Sequence, residues 1–124
     1  MHYQFLNLNP LGERELDCVT RAISGALDVN YYEVKNKLEL VGALFECERL
    51  CVCCYKFLLD NIYDLKRIEE FKGMSILEFL KCNPYGTYII RVDGHLTHCK
   101  DGVIYDTFDC SRDIVDIVWC VREF

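Results

Sequence analysis

Apolar positions recur along this chain at two different periods, and the change falls at Pro84. Before it the spacing is helical. Val19, Ala22, Ile23, Ala26 and Leu27 share one apolar face and predict a helix over residues 17–28. Asp17 is its expected N-cap, with a carboxylate able to accept from a free amide of the first turn. Asn30-Tyr31-Tyr32-Glu33 has the form of a capping box. It opens a second helix with Val34, Leu38 and Val41 on the inner face and an end near Gly42. Residues 44–60 continue the helical period as a third segment. Leu65 to Phe71 fits a short strand and a helical turn equally. Ser75-Ile76-Leu77-Glu78 is a second capping box, and its short helix stops at Asn83-Pro84. At the start of the chain, residues 1–9 fit an edge strand and Asn9-Pro10-Leu11-Gly12 a turn, with Glu13 to Leu16 leading into the first helix.

After Pro84 the period shortens to two. Thr87–Val92, His95–Lys100, Val103–Phe108 and Ile114–Val121 read as strands, rich in β-branched and aromatic residues. Asp93-Gly94 turns the first into the second. Asp101-Gly102 is the strongest hairpin dipeptide in the chain. The class is therefore α+β, with an N-terminal helical half and a C-terminal antiparallel sheet, in a single domain over residues 1–124.

Composition narrows the partners. The chain has 124 residues, 52% hydrophobic and 27% charged, the balance of a globular domain. A formal net charge of -6 argues against a nucleic-acid backbone or an anionic membrane surface as partner. It favours neutral or basic peptide substrates. No apolar run approaches the ~18 residues that span a bilayer. The first residues, Met1 to Asn7, carry neither the basic nor the long apolar region of a signal peptide. Nine cysteines, an odd number, then read as reduced thiols in a cytoplasmic protein and not as a disulfide framework.

One of those cysteines stands out by position. Cys18 falls at the first turn of the first helix, where unpaired amides and the positive end of the helix dipole favour thiolate. A nucleophilic cysteine needs a base, and the base needs an orienting group. The hairpin supplies both. If Asp101-Gly102 is a two-residue turn, Lys100 pairs with Val103, Cys99 with Ile104, His98 with Tyr105 and His95 with Phe108. Side chains alternate faces, so Asp106 shares the face of His95 at the diagonal position. Diagonal partners lie roughly 7–8 Å apart, within reach of a histidine and a carboxylate. His98 points to the opposite face, and Asp109 lies four residues beyond that histidine's partner. The register thus selects His95 with Asp106.

The segments carrying these residues resemble a known family. Asp17-Cys18-Val19-Thr20-Arg21-Ala22 is similar to the opening of small papain-like proteins of Firmicutes and their phages. Gly86 to Leu96 and Asp101 to Asp109 resemble two later segments of the same proteins. The resemblance covers both ends of the chain and leaves out about 44–74. It implies a papain-like fold with Cys18 as nucleophile, His95 as general base and then acid, and Asp106 orienting His95. It also implies an oxyanion hole made of the Cys18 amide and one side-chain donor. Papain-like enzymes place a glutamine shortly before the cysteine, but none stands there. Gln4 is too far, and Asn9 is the nearest amide candidate, with Asn7 behind it. The expected function is a cysteine peptidase or isopeptidase acting on a peptide or protein without a cofactor. Two other readings accompany it: a weak or inactive papain-like binding module, such as a phage protein blocking a host factor, and an acyltransferase or deamidase using the same triad.

Cys47, Cys51 and Cys54 recur at i, i+4 and i+7, with Cys53 off that stripe. Such a stripe can bind a soft metal or serve as a redox sensor. Its spacing is not that of a zinc knuckle, and cysteine packs as a small hydrophobe, so core packing is the expectation and no metal site is assigned.

Overall fold

The structure is a computed structural model and describes residues 1–12, 17–47 and 51–121. The expected lead-in over Glu13–Leu16 lies outside the described residues, as do residues 48–50 of the expected third helix. The elements run β1 (Tyr3–Phe5), α1 (Cys18–Leu27), α2 (Tyr31–Phe45), α3 (Val52–Phe57), a π-helical turn (Leu58–Ile62), β2 (Lys66–Ile68), α4 (Ile76–Cys82), β3 (Thr87–Val92), β4 (His95–Lys100), β5 (Val103–Asp106) and β6 (Ile117–Val121). The fold is α+β around one six-stranded sheet of order β1-β5-β4-β3-β6-β2.

The expected edge strand within residues 1–9 is present as β1, but the sheet is not confined to the C-terminal half and is not wholly antiparallel. β3 to β6 pair antiparallel, but β1 joins β5 in parallel and β2 joins β6. Both edge strands have only three residues. Such short edge strands leave little unpaired backbone for another chain to pair with. The Asp101-Gly102 turn has positive φ at both residues, 49° and 79°, as a type I′ turn requires. It produces the expected register, Lys100 with Val103 and His98 with Tyr105.

Successive residues of the central strands serve opposite faces. Ile89 and Trp119 pack with Ile23, Val34, Leu38 and Leu58 in the core beneath α1, α2 and α3. Ile90 and Val118 pack with Ile76 and Phe79 of α4 on the other side. Trp119 is wholly buried, and its indole N–H donates to Asp60 Oδ1 at 2.8 Å, tying the π-helical turn to β6.

The capping boxes act as written in the sequence. The Asn30 side chain accepts from the amides of Tyr32 and Glu33. Ser75 Oγ accepts from the Glu78 amide and donates to its carboxylate. Three boundaries change. α2 passes Gly42, which is buried in its interior, and stops at Glu46 with φ 52°, where Phe45 packs against Phe57 at 4.7 Å between ring centroids. The segment expected as one helix over 44–60 is therefore the end of α2, a break, α3 and the π-helical turn. The third hairpin strand ends at Asp106, and the last strand starts at Ile117.

Candidate active site

Cys18 opens α1, and His95 opens β4 directly after the Asp93-Gly94 turn. α1 lies along β4, so the first turn of the helix meets the first residues of the strand. The Cys18 thiol shares a cavity with His95 and Leu96, and hydrogen bonding toward the His95 side chain and the Leu96 backbone favours its thiolate form. Burial alone would push this thiol up. Those hydrogen bonds, with the charges of His95 and Arg21, outweigh burial and hold it below the ordinary cysteine value.

His95 Nε2 lies 2.7 Å from Asp106 Oδ2. This is the diagonal pair that the hairpin register selects. Phe108 lies against the imidazole, ring centroids 4.8 Å apart. Burial disfavours charge on the ring, but hydrogen bonds to Asp106, Cys110 and Cys18 raise its pKa to about 11. Asp106 is buried, which would raise it. The His95 hydrogen bond and charge and the Thr107 amide at 2.7 Å keep it below the usual carboxylate range. Cys18, His95 and Asp106 thus stand in one row, the imidazole hydrogen-bonded to the carboxylate and sharing a cavity with the thiol.

No family model, curated protein or solved structure matches the chain.

Asp17 does not cap α1 through its side chain. The carboxylate is buried and receives instead from Arg21 Nε at 2.7 Å, Tyr31 Oη at 2.8 Å and Asn9 Nδ2 at 3.1 Å. A guanidinium one helical turn away is a stronger partner than a neutral amide, so the local cap loses to the charged one. The dipole end at Cys18 is therefore not covered by Asp17. Asn9, the expected oxyanion donor, is a structural partner of Asp17. Its amide donates there and its Oδ1 accepts from the Leu11 amide.

Two residues in the site were not singled out in the sequence. Arg21 bridges Asp17 and Asp106, with Nη1 at 3.3 Å from Asp106 Oδ1, and locks the helix bearing Cys18 to the strand bearing Asp106. Its i, i+4 spacing from Asp17 was the available signal. Cys110 is buried, with Sγ within 4.8 Å of both the His95 and Asp106 ligand atoms. It stands in a loop without periodicity, so no local pattern marks it. His95, Asp106 and Cys110 are also ligand types for a metal, although the His95–Asp106 hydrogen bond already occupies two of their donor atoms.

His98 lies away from this row, stacked on Tyr105 and packed against α1 at Gly25. A Cβ at Gly25 would stand 2.4 Å from His98 Cε1, so the helix needs glycine there. Asp109 pairs with His2 at 3.1 Å and accepts from the Ser111 amide.

A cavity of about 150 Å³ opens onto Cys18 and His95. Val19, Val52, Tyr55, Arg91 and Leu96 form its walls, with Gly94 at its edge. Arg91 is held in place by Tyr55 Oη at 2.8 Å and by Asp116. The lining is mainly apolar with one fixed cation, and it includes Cys18 and His95.

Proposed function

We propose that the chain is a papain-like cysteine hydrolase, most simply a peptidase or isopeptidase. The observation that carries this reading is half-buried Cys18 and His95 lining one open cavity, with the His95 imidazole hydrogen-bonded to buried Asp106 behind it. In the proposed reaction the Cys18 thiolate attacks a substrate carbonyl carbon, forming the C–S bond, and the charge moves to the carbonyl oxygen. The Cys18 amide, at the positive end of α1, stabilises that oxyanion. Protonated His95 donates to the leaving amine as the C–N bond breaks and an acyl-enzyme forms. Neutral His95 then takes a proton from water, which attacks the thioester and releases Cys18. Asp106 holds the imidazole through Nε2 and stabilises its charged form throughout. If an amine replaces water, the same steps accomplish transfer.

Asn9 favours a second reading, a weakly active or inactive binding module on the same scaffold. Its side chain is engaged with Asp17 and Leu11, which leaves the Cys18 amide without that partner in the oxyanion hole.

The test is the rate of iodoacetamide modification of Cys18 against pH, mapped by peptide mass, in the parent and in His95→Ala. The expected profile has its inflection below the usual ~8.5 of a free thiol, and His95→Ala moves it up. A slow thiol indifferent to His95 would sink the hydrolase reading. Capture of Cys18 by a peptidyl epoxide then separates an active hydrolase, which is labelled, from a binding module, which is not.

A further inference from the structure

Four cysteines lie between residues 47 and 54, and the fold divides them differently from the helical stripe. Cys54 is fully buried, and its thiol donates to the Leu38 carbonyl at 3.2 Å. Core packing accounts for Cys54 fully and for Cys47 in part. Cys51 and Cys53 are exposed, and Cys47 is half-buried at the end of α2. The Sγ atoms of these three all lie within 4.8 Å of one another, and those of Cys51 and Cys53 are 2.9 Å apart. Cys53, set apart in the sequence pattern, joins the group, and Cys54 leaves it.

We propose that Cys47, Cys51 and Cys53 bind one soft d10 cation of the Zn2+ class. Zinc–sulfur bonds of about 2.3 Å in tetrahedral geometry place sulfurs roughly 3.8 Å apart. Cys51 and Cys53 stand closer than that, and no pair of the three exceeds it by more than about 1 Å, so side-chain rotations bring all three onto one ion. The backbone around them is anchored. The Cys47 amide donates to the Gly42 carbonyl at 2.9 Å, and the amides of Cys54 and Tyr55 donate to the Cys51 carbonyl at 3.0 and 3.3 Å. Thiolates are the soft ligands that select such an ion over Mg2+ or Ca2+. Each thiol gives up its proton to solvent as its sulfur–metal bond forms. Three protein ligands leave the fourth position to water. The ion would join the end of α2 to the start of α3. Val52, between Cys51 and Cys53, also walls the Cys18 cavity.

The test uses the full chain carrying Cys18→Ser, so that the candidate nucleophile contributes no thiolate and the outcome is independent of the hydrolase reading. The reduced, metal-free protein is titrated with Cd2+, and the ultraviolet thiolate-to-metal charge-transfer band is followed. One tight equivalent is expected, and Cd2+ should likewise displace one equivalent of bound Zn2+. Adding Cys51→Ser and Cys53→Ser should abolish that equivalent while circular dichroism stays unchanged. The single Cys53→Ser should weaken it at least tenfold. Cys82→Ser with Cys120→Ser should leave it intact. Absence of a tight equivalent, or the same titration with and without Cys51 and Cys53, overturns the proposal.

Discussion

At the scale of single residues, the site depends on how charge is shared along Cys18, His95 and Asp106. Each unit by which the thiol pKa rises lowers the thiolate fraction near neutral pH about tenfold. Asp106→Ala removes the carboxylate that favours imidazolium, so alkylation of Cys18 at neutral pH should slow about tenfold or more. A wild-type rate in Asp106→Ala would mean that His95 is held by something else. Arg21 has a separate role. It joins two buried carboxylates, and removing one member of a buried ionic group costs about 3–5 kcal/mol because the remaining charges lose their partner. Arg21→Met should lower stability in urea by that order. Arg21→Lys should recover only part of it, since an ammonium lacks the planar fork that reaches both carboxylates.

At the scale of elements, the approach of α1 to β4 sets the geometry of the site, and Gly25 permits that approach. In an exposed helix, glycine to alanine gains up to about 1 kcal/mol. Here the added methyl meets the His98 ring, so Gly25→Ala should instead destabilise by about 1–3 kcal/mol. The sign of the change in thermal midpoint decides whether the two elements pack this closely in solution. α4, on the opposite face, should tolerate more at its N-cap, where Ser75 is only part-buried. Ser75→Ala removes one cap and should cost about 1 kcal/mol.

At the scale of the whole molecule, stability should fall in acid in two steps. Burial lowers the pKa of His98 to about 4, against the weaker pull of Asp106. A histidine kept neutral in the fold contributes stability that is full above its unfolded value near 6.5 and is lost as pH falls from there toward about 4. Asp17 and Asp106, both held below the ordinary carboxylate range, contribute above about 3.9 and lose that contribution as pH drops through their folded values. The urea midpoint against pH should show both steps, and His98→Leu should remove the first alone. A first step that survives His98→Leu would assign it to another group. His95 acts in the opposite sense. Its raised pKa contributes fully below 6.5 and is lost as pH rises toward about 11.

The sequence by itself determined what depends on neighbours along the chain. The caps at Asn30 and Ser75, the type I′ turn at Asp101-Gly102 and the pairing of His95 with Asp106 all follow from residues within one turn or one hairpin. Short-range geometry has few solutions there, and the residue types choose among them. Only the tertiary structure decided what depends on loops closing across most of the chain. The meeting of Cys18 with His95 is of this kind, as are the parallel pairing of β1 with β5, the placing of β2 beside β6 and the span of Arg21 from Asp17 to Asp106. So are the burial of Cys110 beside His95 and the diversion of the Asp17 carboxylate from capping to Arg21, Tyr31 and Asn9. The cysteines between 47 and 54 were visible as a cluster. Their division into one buried thiol and three converging ones was not, because a break after α2 replaced the single helix that the spacing implied. Local periodicity records which face of an element is apolar, and it carries no information on which distant element will cover that face.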